Sequence, residues 1–257
     1  NQMLEAFGNA KTCRNDNSSR FGKYIKLYMD LQRDMRILGA VMENYLLEKT
    51  RVVQIDKQER TFHIFYAMCR FMDREKLQEY GLLEPREFPE ALKDKFSIFS
   101  QSEIFETAKV DDKEFYEDVV SSFETLNFSG ETIDAIWRVV GSILFLQNLH
   151  VNATVYVEGA QPCSILKDAN WAKAVSLLGV DGKLLEEGLT VRKLIVNNKE
   201  MKKVFSPSEV KNYVRVLAKE LYNNMFNWLF RKLNGELKGD IEKVPGVLRV
   251  DISGGSE

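Results

Sequence analysis

The tetrapeptide Ser206-Pro207-Ser208-Glu209 constrains the fold more than any other feature of the sequence. A serine at the cap, a proline at the first helical position and a glutamate at the third form a capping box, which fixes where a helix starts. Val210, Tyr213, Val214, Leu217, Leu221, Trp228, Leu229 and Leu233 then recur at helical spacing, and Asn234-Gly235 marks the expected end. A helix of this length with one long apolar face has to be covered by other elements, so the rest of the chain must supply a packing surface.

The remaining sequence offers mainly helices for that purpose. Met3 to Lys11, Glu59 to Phe71, Asp111 to Leu126, Ser129 onward through Leu144, and Ser164 to Gly179 read as helices. Tyr24, Ile25, Leu27 and Tyr28 read as a strand, Gln32 to Arg36 as a turn, and Ile37-Leu38 as re-entry into the sheet. Gly246 to Ile252, apolar and β-branched, reads as a buried strand. Ala135 to Val157 is the most apolar stretch. Arg138, Gln147, Asn148 and His150 interrupt it, so it predicts a buried helix and a strand, with no membrane span.

Composition excludes several functions. The 36 basic and 38 acidic residues leave a formal charge of −2, which argues against a polybasic nucleic-acid arm. Cys13, Cys69 and Cys163 are odd in number and form no CxxC, so they predict free thiols in a reducing compartment. His63 and His150 are too few and too far apart for a zinc site. His63 reads as a core residue, and Asp111-Asp112 with Glu114 reads as a helix N-terminal charge cluster.

Chemistry concentrates in Asn15-Asp16-Asn17-Ser18-Ser19-Arg20-Phe21-Gly22-Lys23, a polar loop between a helix and a strand. Hydroxyls and amides there can bind phosphate oxygens, and a serine oxygen suits Mg²⁺, a hard cation. An arginine can neutralise developing negative charge. Taken alone, the same composition also fits an ordinary solvated turn.

A resemblance separates these readings. Leu4 to Thr12 followed by Arg14 to Lys23 resembles the switch I region of the myosin motor head, nearly word for word. Tyr45 to Val53, Glu59 to Tyr66, Leu126 to Ser129, Ile143 to Leu149, Leu217 to Tyr222 and Phe226 to Leu229 resemble further myosin blocks in the same order. The resemblance implies an α/β chain, predominantly helical, carrying part of the central mixed sheet of a P-loop NTPase-type motor core and an upper-50-kDa-like helical subdomain. It divides the chain into a switch I helix-loop-strand (1–38), a mostly helical part with an actin-facing loop (39–205), the long helix (206–235) and a strand with a switch II-like end (246–257).

The resemblance also implies roles. Asn15, with Asn17, would contact the phosphates of ATP. Ser18 would face the γ-phosphate and the attacking water, Ser19 would ligate Mg²⁺, and Arg20 would pair with a switch II glutamate. Asp251 would belong to the nucleotide site and Gly254 to the catalytic end of switch II. The family pattern there is Asp-Ile-x-Gly-Phe-Glu. Here Asp251-Ile252-Ser253-Gly254 fits, but Gly255-Ser256-Glu257 follows. Either a divergent switch still lets Glu257 reach Arg20, or residues 255–257 do not belong to the motif.

No Gly-x-x-x-x-Gly-Lys-Ser/Thr occurs in the sequence. The resemblance places that loop before Asn1, so both ends read as those of a piece, which alone would not hydrolyse ATP. Lys199, Glu200, Lys202 and Lys203 fall in the stretch that would face the actin filament; Lys199 stands where many myosins carry an acidic or phosphorylatable residue. Basic charge there would steer the chain toward an acidic filament. Light chains would bind outside this piece, and the expected setting is cytoplasmic and cytoskeletal. The rival expectation is a non-motor relative, actin-binding or scaffolding, that has lost catalysis.

Overall fold

A computed structural model describes residues 2–30, 36–82, 89–152, 163–196, 199–239 and 247–254. The chain opens with helix α1 (Gln2–Gly8), then the short strands β1 (Asn9–Ala10) and β2 (Ser18–Ser19). Strands β3 (Gly22–Asp30) and β4 (Arg36–Tyr45) follow, and a 3-10 turn at Lys49–Val52 leads to α2 (His63–Phe71) and α3 (Arg74–Tyr80). Next come α4 (Glu90–Lys95), α5 (Ser97–Ser100), α6 (Asp112–Thr125) and α7 (Gly130–Leu146). The short strands β5 (Val151–Asn152) and β6 (Ser164–Ile165) precede α8 (Ala169–Leu178) and α9 (Gly182–Thr190). A hairpin of β7 (Val191–Val196) and β8 (Lys199–Val204) feeds α10 (Pro207–Leu237), and β9 (Val247–Gly254) closes the series.

The capping box forms as its sequence requires. The Ser206 hydroxyl accepts the Glu209 amide, and the Glu209 carboxylate accepts the Ser206 amide at 2.8 Å. At 31 residues, α10 is about 46 Å long. Its buried side chains, including Val214, Ala218, Tyr222, Phe226 and Leu229, pack on α1, α7 and β4 within one continuous core. Gly8 leaves room for one of these contacts. A Cβ there would collide with the Phe21 ring, which meets Phe226 edge-on at 5.1 Å.

Strands β4, β3 and β9 form one sheet in that order, both pairs antiparallel. The β3–β9 register pairs Lys23 with Gly254 and Lys26 with Asp251. The C-terminal end of β9 therefore lies at the sheet end where β3 begins, immediately after the 11–20 loop.

Several boundaries differ from expectation. The long helix passes through Asn234-Gly235 because the Asn234 side-chain amide is drawn into tertiary bonding. It donates to the Met42 carbonyl and accepts the Met42 amide, each at 2.7 Å, and so completes the backbone pairing of β4. The helix expected from Glu59 begins at His63, since Arg60 to Phe62 are held extended by the Arg60 amide on the Lys11 carbonyl and the Ala10–Phe62 bridge. The helix expected from Ser164 starts five residues later, because Ser164-Ile165 pairs with Val151-Asn152 and Asp168 supplies the N-cap. A boundary at residue 38 cuts β4, which runs on to Tyr45. The turn expected at 32–36 falls outside the described residues except for Arg36, the first residue of β4. Of the apolar stretch 135–157, the structure describes α7 and β5; residues 153–157 lie outside. No described helix is long and apolar enough to cross a membrane.

Candidate functional site

The polar loop is folded, not merely solvated. Strands β1 and β2 pair Asn9 with Ser19 and Ala10 with Ser18, which pinches residues 11–17 into a closed loop. Inside it the Thr12 amide donates to the Asn15 carbonyl at 2.8 Å, and the Thr12 hydroxyl accepts the Asn15 amide at 3.1 Å. The Asn15 side-chain oxygen accepts the Asn17 amide at 2.9 Å, and the Asn17 oxygen accepts Asn9 Nδ2 at 3.0 Å. Lys11 ties to Asp16 at 3.0 Å. These local bonds exploit the readiness of Asn, Asp and Thr to bond nearby backbone.

With their oxygens so used, the side-chain amides of Asn15 and Asn17 retain donor capacity. Ser18 is buried; its oxygen accepts Arg20 Nη1 at 3.0 Å, so its own proton remains available to another acceptor. The Ser19 hydroxyl is partly exposed and has no hydrogen-bond partner among the described residues. Beside it in the register, Asn9 has a buried side-chain oxygen with no partner. No group of three His, Cys, Asp or Glu side chains among the described residues is arranged to hold a metal ion. The partly exposed Ser19 hydroxyl is an oxygen of the kind a hard cation takes.

Arg20 is the cationic member. Its Nε donates to Glu48 Oε2 at 2.6 Å. Glu48 also accepts Arg51, whose Nη1 donates to Glu59 at 2.7 Å and to the Arg60 carbonyl at 3.1 Å. Glu59 in turn accepts the Cys13 amide at the loop tip, at 3.3 Å. Burial opposes the charge on Glu48, but hydrogen bonds from Arg51 and Arg20 outweigh it and hold the carboxyl below its ordinary range. Glu59 is lowered in the same way: burial opposes, and the Arg51 bond prevails.

The sequence placed Asn15, Asn17, Ser18, Ser19 and Arg20 on one loop, and the structure does so too. The expected glutamate partner of Arg20, Glu257, lies outside the described residues; Glu48 is the carboxylate bonded to Arg20. Asp251 and Gly254 are described as backbone within β9; Gly254 lies opposite Lys23 at the sheet end adjoining the loop, and Asp251 lies three residues back, opposite Lys26. Two features escaped the sequence reading. One is the Glu48–Arg51–Glu59 chain. The other is a buried pair, Arg60 Nη2 to Asp112 Oδ1 at 2.7 Å, in the cluster expected to be a simple helix N-terminus. Asp111, its neighbour, is the N-cap, as that expectation requires.

The stretch expected to be a filament-facing loop is a β-hairpin, β7–β8. Its ladder pairs Arg192 with Lys203 and Lys193 with Lys202. Lys199 and Glu200 begin β8, opposite Val196 and Ile195. Glu187 lies 3.1 Å from Lys193 and 3.8 Å from Lys202, and Glu209 lies 3.0 Å from Lys203, so part of the basic charge is locally answered.

Comparison with known proteins gives one family. Residues 1–255 match the family model described as "Myosin head (motor domain)". "Myosin-6" of Arabidopsis thaliana is 33% identical over 254 residues, covering 99% of this chain and 16% of its own length. "Myosin IE heavy chain" of Dictyostelium discoideum is 36% identical over 259 residues, covering 99% of this chain and 25% of its own. "Myosin-1" of Sclerotinia sclerotiorum is 33% identical over 258 residues, with 99% and 20% covered. The chain therefore spans at most a quarter of the length of these curated relatives.

Proposed function

This chain belongs to the myosin motor-domain family, and on that premise we propose that it is the switch I portion of an actin-based, Mg·ATP-hydrolysing motor. The observation that supports this best is the 11–20 loop. It is held by its own backbone bonds, offers amide and hydroxyl groups, and adjoins the end of β9. The reaction is phosphoryl transfer, where catalysis is largely positioning and charge stabilisation. Asn15 donates its side-chain amide to phosphate oxygens. Ser18, its oxygen engaged by Arg20, directs its proton toward the γ-phosphate or the attacking water. Ser19 offers its hydroxyl oxygen to Mg²⁺, which when bound neutralises phosphate charge. Arg20 adds a fixed positive charge beside the transferred group. Gly254 brings the end of β9 to the sheet end where the loop lies, with Asp251 three residues back along the strand, and Glu257 is the candidate switch II carboxylate for Arg20. No Gly-x-x-x-x-Gly-Lys-Ser/Thr loop occurs among these 257 residues, so the phosphate contacts proposed here are those of the 11–20 loop.

The β7–β8 hairpin, with Lys199, Glu200, Lys202 and Lys203, is the actin-facing element of this reading, and the protein works on the cytoskeleton. The second reading is a non-motor, actin-binding relative. The Gly255-Ser256-Glu257 departure from the switch II pattern favours it. Binding of a fluorescent ATP analogue to the full-length protein separates the two. The motor reading expects Mg²⁺-dependent binding that Ser19→Ala weakens by roughly tenfold or more. Filament binding without nucleotide binding would decide for the second reading.

A further inference from the structure

We infer that Glu48 is the positioning residue for Arg20, and that the chain Glu48–Arg51–Glu59 is a relay holding the nucleotide loop at its tip and its exit. The inference rests on the proposed ATPase reading and deepens it. A guanidinium has a lateral edge through Nε and a terminal edge through its two Nη groups. Glu48 engages the lateral side of Arg20 through Nε at 2.6 Å, while Nη1 reaches the Ser18 oxygen at 3.0 Å. The terminal edge is thereby aimed along the loop, where it can meet a phosphate oxygen or a second carboxylate without releasing the first.

A carboxylate held only by Arg20 would be free to swing; this one is not. Arg51 grips it laterally, with Nε on Oε2 at 2.9 Å and Nη2 toward Oε1 at 3.4 Å. Arg51 is itself only 6% exposed and is fixed from behind by Glu59 and the Arg60 carbonyl. Backbone bonds run parallel to the side chains: the Glu48 amide donates to the Arg20 carbonyl at 2.9 Å, and the Arg60 amide to the Lys11 carbonyl at 3.0 Å. The far end of the relay accepts the Cys13 amide. With Arg20 included, two cations and two anions alternate along the chain Arg20–Glu48–Arg51–Glu59, so the four groups order the loop with charges that sum to zero. Charge-assisted bonds of this geometry are the strong class.

The test compares Glu48→Gln, Glu48→Asp and Glu59→Gln in the full-length protein. Each is followed by steady-state Mg·ATPase and by amide exchange of the peptide spanning residues 9–22, with α10 as the control for folding. Glu48→Gln is expected to lower kcat by about tenfold or more while KM stays within about threefold, because aim is lost and not general binding. Glu48→Asp should recover part of the loss. Glu59→Gln, at the end of the relay that holds the Cys13 amide, should loosen the loop and speed its exchange by about tenfold. Unchanged kcat, a change confined to KM, or loop exchange equal to wild type in both Gln variants would each overturn the relay. If the wild-type protein hydrolyses no Mg·ATP, the functional reading fails by itself, and loop exchange alone then decides the relay.

Discussion

At the residue scale, sequence reading finds side chains that act through a local motif and misses those that act through a distant partner. Asn15 to Arg20 are consecutive, so their shared loop is visible in the string. Arg60 and Asp112 are 52 positions apart, and nothing in either neighbourhood announces that they meet. Their side chains are 0% and 2% exposed. Burial raises the Asp112 carboxyl above its usual range even against the pull of Arg60. The Arg60 guanidinium also lies 3.7 Å over the Tyr66 ring. His63, in the same pocket, is held well below its ordinary value by burial and then by the nearby Arg60 charge, which fits the core role its neighbours suggested. Removing one partner strands a buried charge. Asp112→Leu is therefore expected to destabilise the fold by about 3–5 kcal/mol, whereas Arg60→Met with Asp112→Leu recovers most of that loss. Thermal unfolding of the full-length variants checks this; a double variant no better than the single one would contradict it.

At the element scale, some helix starts were legible, whereas the starts of α2 and α8 and the end of α10 were not. Caps are local chemistry, as Ser206, Ser129 and Asp111 illustrate. The end of α10 was set instead by Asn234 bonding a strand 192 residues away, and tertiary bonding overrode an Asn-Gly stop signal. The hairpin β7–β8 was hidden for a related reason: its lysines suggest solvent, and its ladder is made by backbone. The Ser206 cap yields a prediction. Ser206→Ala should cost about 1 kcal/mol, or roughly fivefold faster amide exchange in the first turn of α10. The cap also titrates. Backbone bonding from Ser206, then Lys203 and the Ser206 hydroxyl, lowers Glu209 from 4.5 to about 2. The contribution of Glu209 is thus fully present above pH 4.5 and is lost as pH falls toward 2. The exchange difference between wild type and Glu209→Gln should shrink over that window; a difference independent of pH would refute the capping role.

At the scale of the whole molecule, the family was legible because its blocks occur in order along nearly the whole chain, and the match over residues 1–255 agrees. What could not be read was how the 11–20 loop and the end of β9, more than two hundred residues apart, approach each other. The β3–β9 register supplies that, placing Gly254 opposite Lys23, next to the loop that ends at Arg20. As proposed above, the 11–20 loop serves Mg·ATP hydrolysis in an actin-based motor. Steady-state Mg·ATPase of the full-length protein, with and without actin filaments and beside Arg20→Ala, tests it most directly. The expected result is turnover that filaments accelerate and that Arg20→Ala lowers by on the order of 100-fold or more. No hydrolysis by the wild type, or equal turnover by Arg20→Ala, would contradict it.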